Sequence, residues 1–143
     1  MADTLRNLIK EYDNQKQATK SGTVAHKKMR FVNMSKIDEE IVKNIKKHPD
    51  LERFFVPDAK TEVPIAAIID GKFVSRRIDR MVVDGKNKTI YVLDYKTDVS
   101  KDPFHSKYVA QVREYVSIIT KIYPKYKVYG YILWLHDWTL EKL

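Results

Sequence analysis

Apolar positions recur at helical spacing in the first part of the chain and at strand-like spacing from about Asp58 onward. Leu5, Leu8, Ile9 and Tyr12 fall on one face of a helix. Thr19-Lys20-Ser21-Gly22 breaks that run, and Ser21 or Thr23 caps a second helix carrying Val24, Met29 and Phe31. A third helix begins at Ser35, with Glu39 and Glu40 early and Lys43, Lys46 and Lys47 late. That order suits the helix dipole. His48-Pro49-Asp50 ends it.

Beyond Asp58 the pattern predicts strands over "TEVPIAAII", "FVSRRIDRMVV" and "TIYVLDY", separated by Asp70-Gly71 and Asp84-Gly85. Both dipeptides are hairpin signals. A long amphipathic helix follows from about Phe104 to Ile122, with Tyr108, Val112, Tyr115, Val116 and Ile119 as its apolar stripe. Pro124 lies just past its end. "KVYGYILWL" reads as a last strand, rich in β-branched and aromatic residues. The predicted fold is α/β of the α+β kind. N-terminal helices over 1–47 precede a core over 58–143, where a three-strand meander, a crossover helix and a further strand build one mixed sheet.

The chain of 143 residues has the size of one domain. It has no cysteine, which excludes disulfides, thiolate zinc sites and iron–sulfur clusters and fits a reducing cytosol. The N-terminal stretch "MADTLRNLIKEYDNQK" is too charged for a signal peptide. No apolar run reaches the ~18 residues of a membrane helix, so no membrane role is expected. The net charge is +8, from 27 Lys and Arg against 19 Asp and Glu. Such a balance favours polyanionic partners, nucleic acid above all, or serves solubility alone.

D-x-K occurs four times. The two D-G-K copies are turn chemistry, and Asp58 sits in a loop after Pro57. Only Asp94 and Lys96 end an apolar strand, where a spacing of two points both side chains to one face. An acid and an amine on one half-buried face must be paired or must bind something. If the second hairpin loop runs from Gly85 to Lys88, Asp84 pairs with Thr89, and Asp79 then lies opposite Asp94. Two carboxylates with Cβ atoms about 5 Å apart repel unless they share a proton or a cation. Two readings fit: a structural Asp–Lys–Asp–Arg network, or a divalent ion, Mg²⁺ or Mn²⁺, bridging hard oxygen donors. Glu62 lies on the preceding strand. Gln111 and Tyr115 share a helix face. His26 lies near the start of the second helix.

Taken in order, these segments resemble the nuclease domain of the RecB/AddA type in the PD-(D/E)xK superfamily, closest to the C-terminal domain of AddA-type helicase–nucleases. "GTVAH" looks like the family's G-T-x-x-H segment, "EVPI" like its E-x-P strand, and "SRRIDRMVV" like its G-x-I-D-R strand. "VLDYKT" carries the D-Y-K-T signature, "QVREY" matches Q-x-x-x-Y, and "YPKYKVYGYILW" looks like the closing strand. The chain departs from the pattern at Arg76, where the family usually has Gly, and at Lys28, where an apolar residue is usual.

The resemblance implies a restriction-endonuclease-like core and a DNA exonuclease of double-strand-break repair and recombination, with Mg²⁺ or Mn²⁺ and no nucleotide cofactor in this chain. Asp79, Asp94, His26 and the Tyr95 main-chain carbonyl would hold the metal. Lys96 would serve the attacking water and the phosphate. Gln111 and Tyr115 would support the site, and Glu62 would meet the metal through water. Arg76, Arg77 and Arg80 would contact backbone phosphates, which gives no sequence reading. A helicase subunit or region is the implied protein partner. The competing expectation is an inactive DNA-binding or helicase-docking module with the same fold.

Overall fold

In the computed structural model, residues 39–98 and 103–143 are described. The two helices expected before Ser35 lie outside them, as does His26. Helix α1 (Glu39–Lys47) ends where the sequence places the stop, and Pro49 opens a 3₁₀ turn, Pro49–Phe54. Pro suits the first helical turn because its missing N–H has no intrahelical acceptor there.

The strands are β1 (Lys60–Ile69), β2 (Lys72–Asp84), β3 (Thr89–Lys96), β4 (Lys127–Trp134) and β5 (Thr139–Lys142); helix α2 (His105–Ile122) joins β3 to β4. They form one five-stranded mixed sheet in the order β1-β2-β3-β4-β5. The β1–β2 and β2–β3 pairs are antiparallel, β3–β4 is parallel, and β4–β5 is antiparallel. The predicted meander and crossover helix are both present. Strand β5 was not anticipated.

Turn chemistry sets the register. Asp70 and Gly71 both take positive φ (50° and 75°), as a two-residue hairpin turn requires. In the next hairpin, Asp84 carboxylate oxygens accept from the Asn87 backbone N–H (3.1 Å) and its side-chain amide (2.8 Å). Asp84 consequently pairs with Thr89 and Arg80 with Leu93, the register expected from loop length.

The sheet is covered on both sides. Tyr115, Ile118 and Ile119 of α2 pack on Ile65, Ile78, Met81, Ile90 and Val92. On the other side Ile41, Ile45, Leu51, Phe54 and Phe55 pack on Val82, Leu93, Tyr95, Tyr131 and Leu133. Helix α2 crosses β4 closely at Gly130. A Cβ there would stand 2.7 Å from Val112 Cγ1 and 2.9 Å from Val116 Cγ2. Among the described residues no helix is long and apolar enough to cross a membrane.

Candidate functional site

Burial on both faces explains why Val92, Leu93, Asp94 and Tyr95 are all buried in succession. Alternation along β3 separates their directions. Leu93 and Tyr95 enter the cluster beside the 3₁₀ turn, whereas Val92 enters the α2 side. Asp94 and Lys96, two and four residues after Val92, follow it toward α2.

Helix α2 supplies the partners. Lys96 Nζ stands 2.9 Å from Asp94 Oδ2 and donates to Gln111 Oε1 at 3.0 Å. It also lies 4.3 Å from the centre of the Tyr108 ring. Gln111 in turn hydrogen-bonds Tyr115. Burial, followed by the charges of Asp94 and Asp79, pushes the Tyr115 phenol well above its ordinary value, so both carboxylates act on that ring oxygen.

Asp79 precedes Arg80, where the β2–β3 pairing ends at Leu93, and its carboxyl lies against Asp94. Its Oδ2 accepts the Tyr95 backbone N–H at 2.9 Å. Desolvation first, then the Asp94 charge and a hydrogen bond with Asp94, raise the Asp79 carboxyl well above the usual carboxylate range; the Tyr95 N–H and Lys96 oppose this. Lys96 O accepts from Leu135 N on the β4 side. The N–H and C=O of Tyr95, one residue earlier, face the opposite edge, toward Asp79.

The Asp94 Oδ2 atom is enclosed and accepts no hydrogen bond; the nearby ammonium attracts it as a charge but lacks bonding geometry. Buried acceptors are seldom left in that condition. Two adjacent carboxylates with a spare oxygen suit a hard cation. Among the described residues no group of three or more His, Cys, Asp or Glu is placed to hold a metal. A third side-chain donor would come from outside them, where His26 lies.

The other predicted residues take different places. Glu62 adopts φ 53° and sets its carboxylate 3.5 Å from Arg77 Nη1. Arg76 turns to α2 and forms a 2.7 Å pair with Glu114. Arg77 is 60% exposed along its side chain. Arg80 departs from expectation, because it is 1% exposed. Its Nε donates to Tyr95 Oη at 2.7 Å and Nη1 to Phe54 O at 3.1 Å, and its guanidinium stands 4.5 Å from the centre of the Phe55 ring. It offers no surface to a phosphate and instead ties β2 to the 3₁₀ turn. Its spacing of two from Val82, which faces the same cluster, was the available signal for this.

Sequence reasoning assigned Tyr108 to the apolar stripe alone. Its spacing of three from Gln111 and seven from Tyr115 places all of them on one helix face, a signal that it borders the site. Its hydroxyl donates to Asp98 Oδ2 at 2.7 Å. No protein-family model matches the chain, and no curated protein matches it.

Proposed function

We propose that this chain is a metal-dependent deoxyribonuclease with a restriction-endonuclease-like core, of the RecB/AddA type, hydrolysing phosphodiesters without sequence preference. One observation carries the reading. Asp79 of β2 lies against Asp94 near the end of buried β3, with Lys96 2.9 Å from Asp94 and Gln111 reaching in from α2. A network serving stability alone would satisfy its buried oxygens, and this one leaves Asp94 Oδ2 without a hydrogen bond.

Asp79 and Asp94 are the residues that would hold Mg²⁺ or Mn²⁺, with the Tyr95 carbonyl and His26 completing the donors by resemblance. Bound there, the ion would acidify a water ligand and offset phosphate charge. The chain's own groups do the rest. Lys96 Nζ donates to the Gln111 oxygen and pairs by charge with Asp94 2.9 Å away, which holds the ammonium in one direction. That charge stabilises the phosphorane-like transition state without reorganising. Gln111 bridges Lys96 and Tyr115 and so fixes the amine relative to the helix. Exposed Arg77 is the remaining candidate for a backbone phosphate on β2.

The competing module that binds without cutting drew support from Arg76 replacing a small residue. In the structure Arg76 is drawn aside by Glu114, which weakens that objection to catalysis. Asp79→Ala tests the proposal: cleavage of linear DNA should vanish while DNA affinity stays within about twofold of wild type, since the loss is local to the metal site. Loss of affinity in parallel would count against a metal-ligand role for Asp79.

A further inference from the structure

Lys96 carries its charge on a flexible four-carbon stem, and a fixed direction for that charge requires contacts that hold it. Asp94 and Gln111 meet Nζ from two sides. A third side is closed by the Tyr108 ring, 4.3 Å from Nζ to the ring centre. Cation–π attraction acts at such distances and strengthens where water is excluded.

The ring is itself fixed. Its hydroxyl donates to Asp98 Oδ2 at 2.7 Å. Asp98 lies two residues beyond Lys96, just past the end of β3, so the stretch of chain that follows the amine anchors the ring that contacts it. Trp134, the β4 partner of Lys96 in the sheet, packs 6.1 Å from the same ring, and Phe104 packs 6.2 Å from it. Burial and the Asp98 contact raise the Tyr108 phenol above its ordinary value, which keeps it a neutral donor. A tyrosine needed only for apolar packing would not require this tether.

We infer that Tyr108 is a positioning residue: its ring face, clamped by Asp98 and Trp134, holds the Lys96 ammonium in the orientation the reaction uses. The inference rests on the nuclease reading. It assigns the π face, not the hydroxyl, as the working part.

The test compares Tyr108→Leu, which keeps apolar bulk but removes the ring, with Tyr108→Phe, which keeps the ring and loses only the Asp98 bond. On linear DNA with Mg²⁺, the Leu variant should lose about tenfold in kcat with KM within twofold. The Phe variant should retain kcat within about threefold. In metal-free protein, the Lys96 ε-methylene protons should show an upfield ring-current shift in wild type and in the Phe variant, absent in the Leu variant. That readout is independent of activity, and thermal melts of both variants exclude general unfolding. Equal kcat in the Leu variant and wild type, or an unshifted Lys96 methylene in wild type, overturns the inference. A Phe variant as impaired as Leu also overturns it, because the hydroxyl would then carry the effect. A wild-type protein that cleaves no DNA removes the reaction, and with it this role, even where the Lys96 shift is present.

Discussion

Replacing Asp79 by Asn separates a site built for chemistry from a network built for stability. The amide keeps the shape of the side chain, and its oxygen still accepts the Tyr95 N–H now bonded at 2.9 Å. What disappears is a buried negative charge facing Asp94. Two unit charges ~5 Å apart at an effective dielectric of ~20 repel by about 3 kcal/mol. Attraction to Lys96 is lost as well and cancels part of that gain. In EDTA at neutral pH the variant should therefore be more stable than wild type by about 1–2 kcal/mol, or about 3–8 °C in Tm. The folded-state value of the Asp79 carboxyl is raised, so the penalty it imposes is complete above that raised value. The penalty fades as pH falls, and the advantage of Asn should be gone below about pH 4. Excess Mg²⁺ should stabilise wild type and leave the variant unchanged. Urea unfolding followed by circular dichroism reads all three conditions. A variant less stable than wild type by 1 kcal/mol or more at neutral pH would refute the reasoning and favour a structural network.

Four further substitutions have outcomes that follow from the geometry. Lys96→Met leaves the facing carboxylates without their cation, so stability in EDTA should fall by about 3 kcal/mol in urea titrations and recover in part with Mg²⁺. Gly130→Ala drives a Cβ to within 2.7 Å of Val112 Cγ1, and should lower stability by about 1–3 kcal/mol with no change in the m-value. Arg77→Ala should weaken DNA binding uniformly across sequences and reduce the salt slope by about one, whereas Arg76→Ala, which removes an arginine already neutralised by Glu114, should change affinity less than twofold, both read by fluorescence anisotropy.

The sheet and the carboxylate pair were legible because their determinants are local. Asp70-Gly71 and Asp84-Gly85 mark the turns, loop length sets the register, and alternation assigns the faces, which is enough to bring Asp79 to Asp94. The partners of the arginines were not legible, because they depend on which elements meet in space. Arg76 finds Glu114 only where α2 lies over β2, and Arg80 is buried only because the 3₁₀ turn packs beneath it. Strand β5 was missed because "TLEK" has weak strand propensity and takes its place by pairing with β4. Tyr108 reads as apolar stripe because a pattern of hydrophobic positions cannot tell a ring that packs from a ring that also holds an ammonium. Spacing alone puts Gln111 and Tyr115 on one helix face; that Gln111 meets Lys96 and that Tyr115 lies near the two carboxylates depends on where α2 packs.

The most direct measurement is degradation of linear single- and double-stranded DNA by the purified chain in Mg²⁺, Mn²⁺ or EDTA, beside Lys96→Ala. The account predicts degradation in a divalent cation, none in EDTA, and loss in the variant with DNA binding retained. Intact DNA in every metal, with binding undiminished, would contradict it and leave a nucleic-acid-binding module in its place.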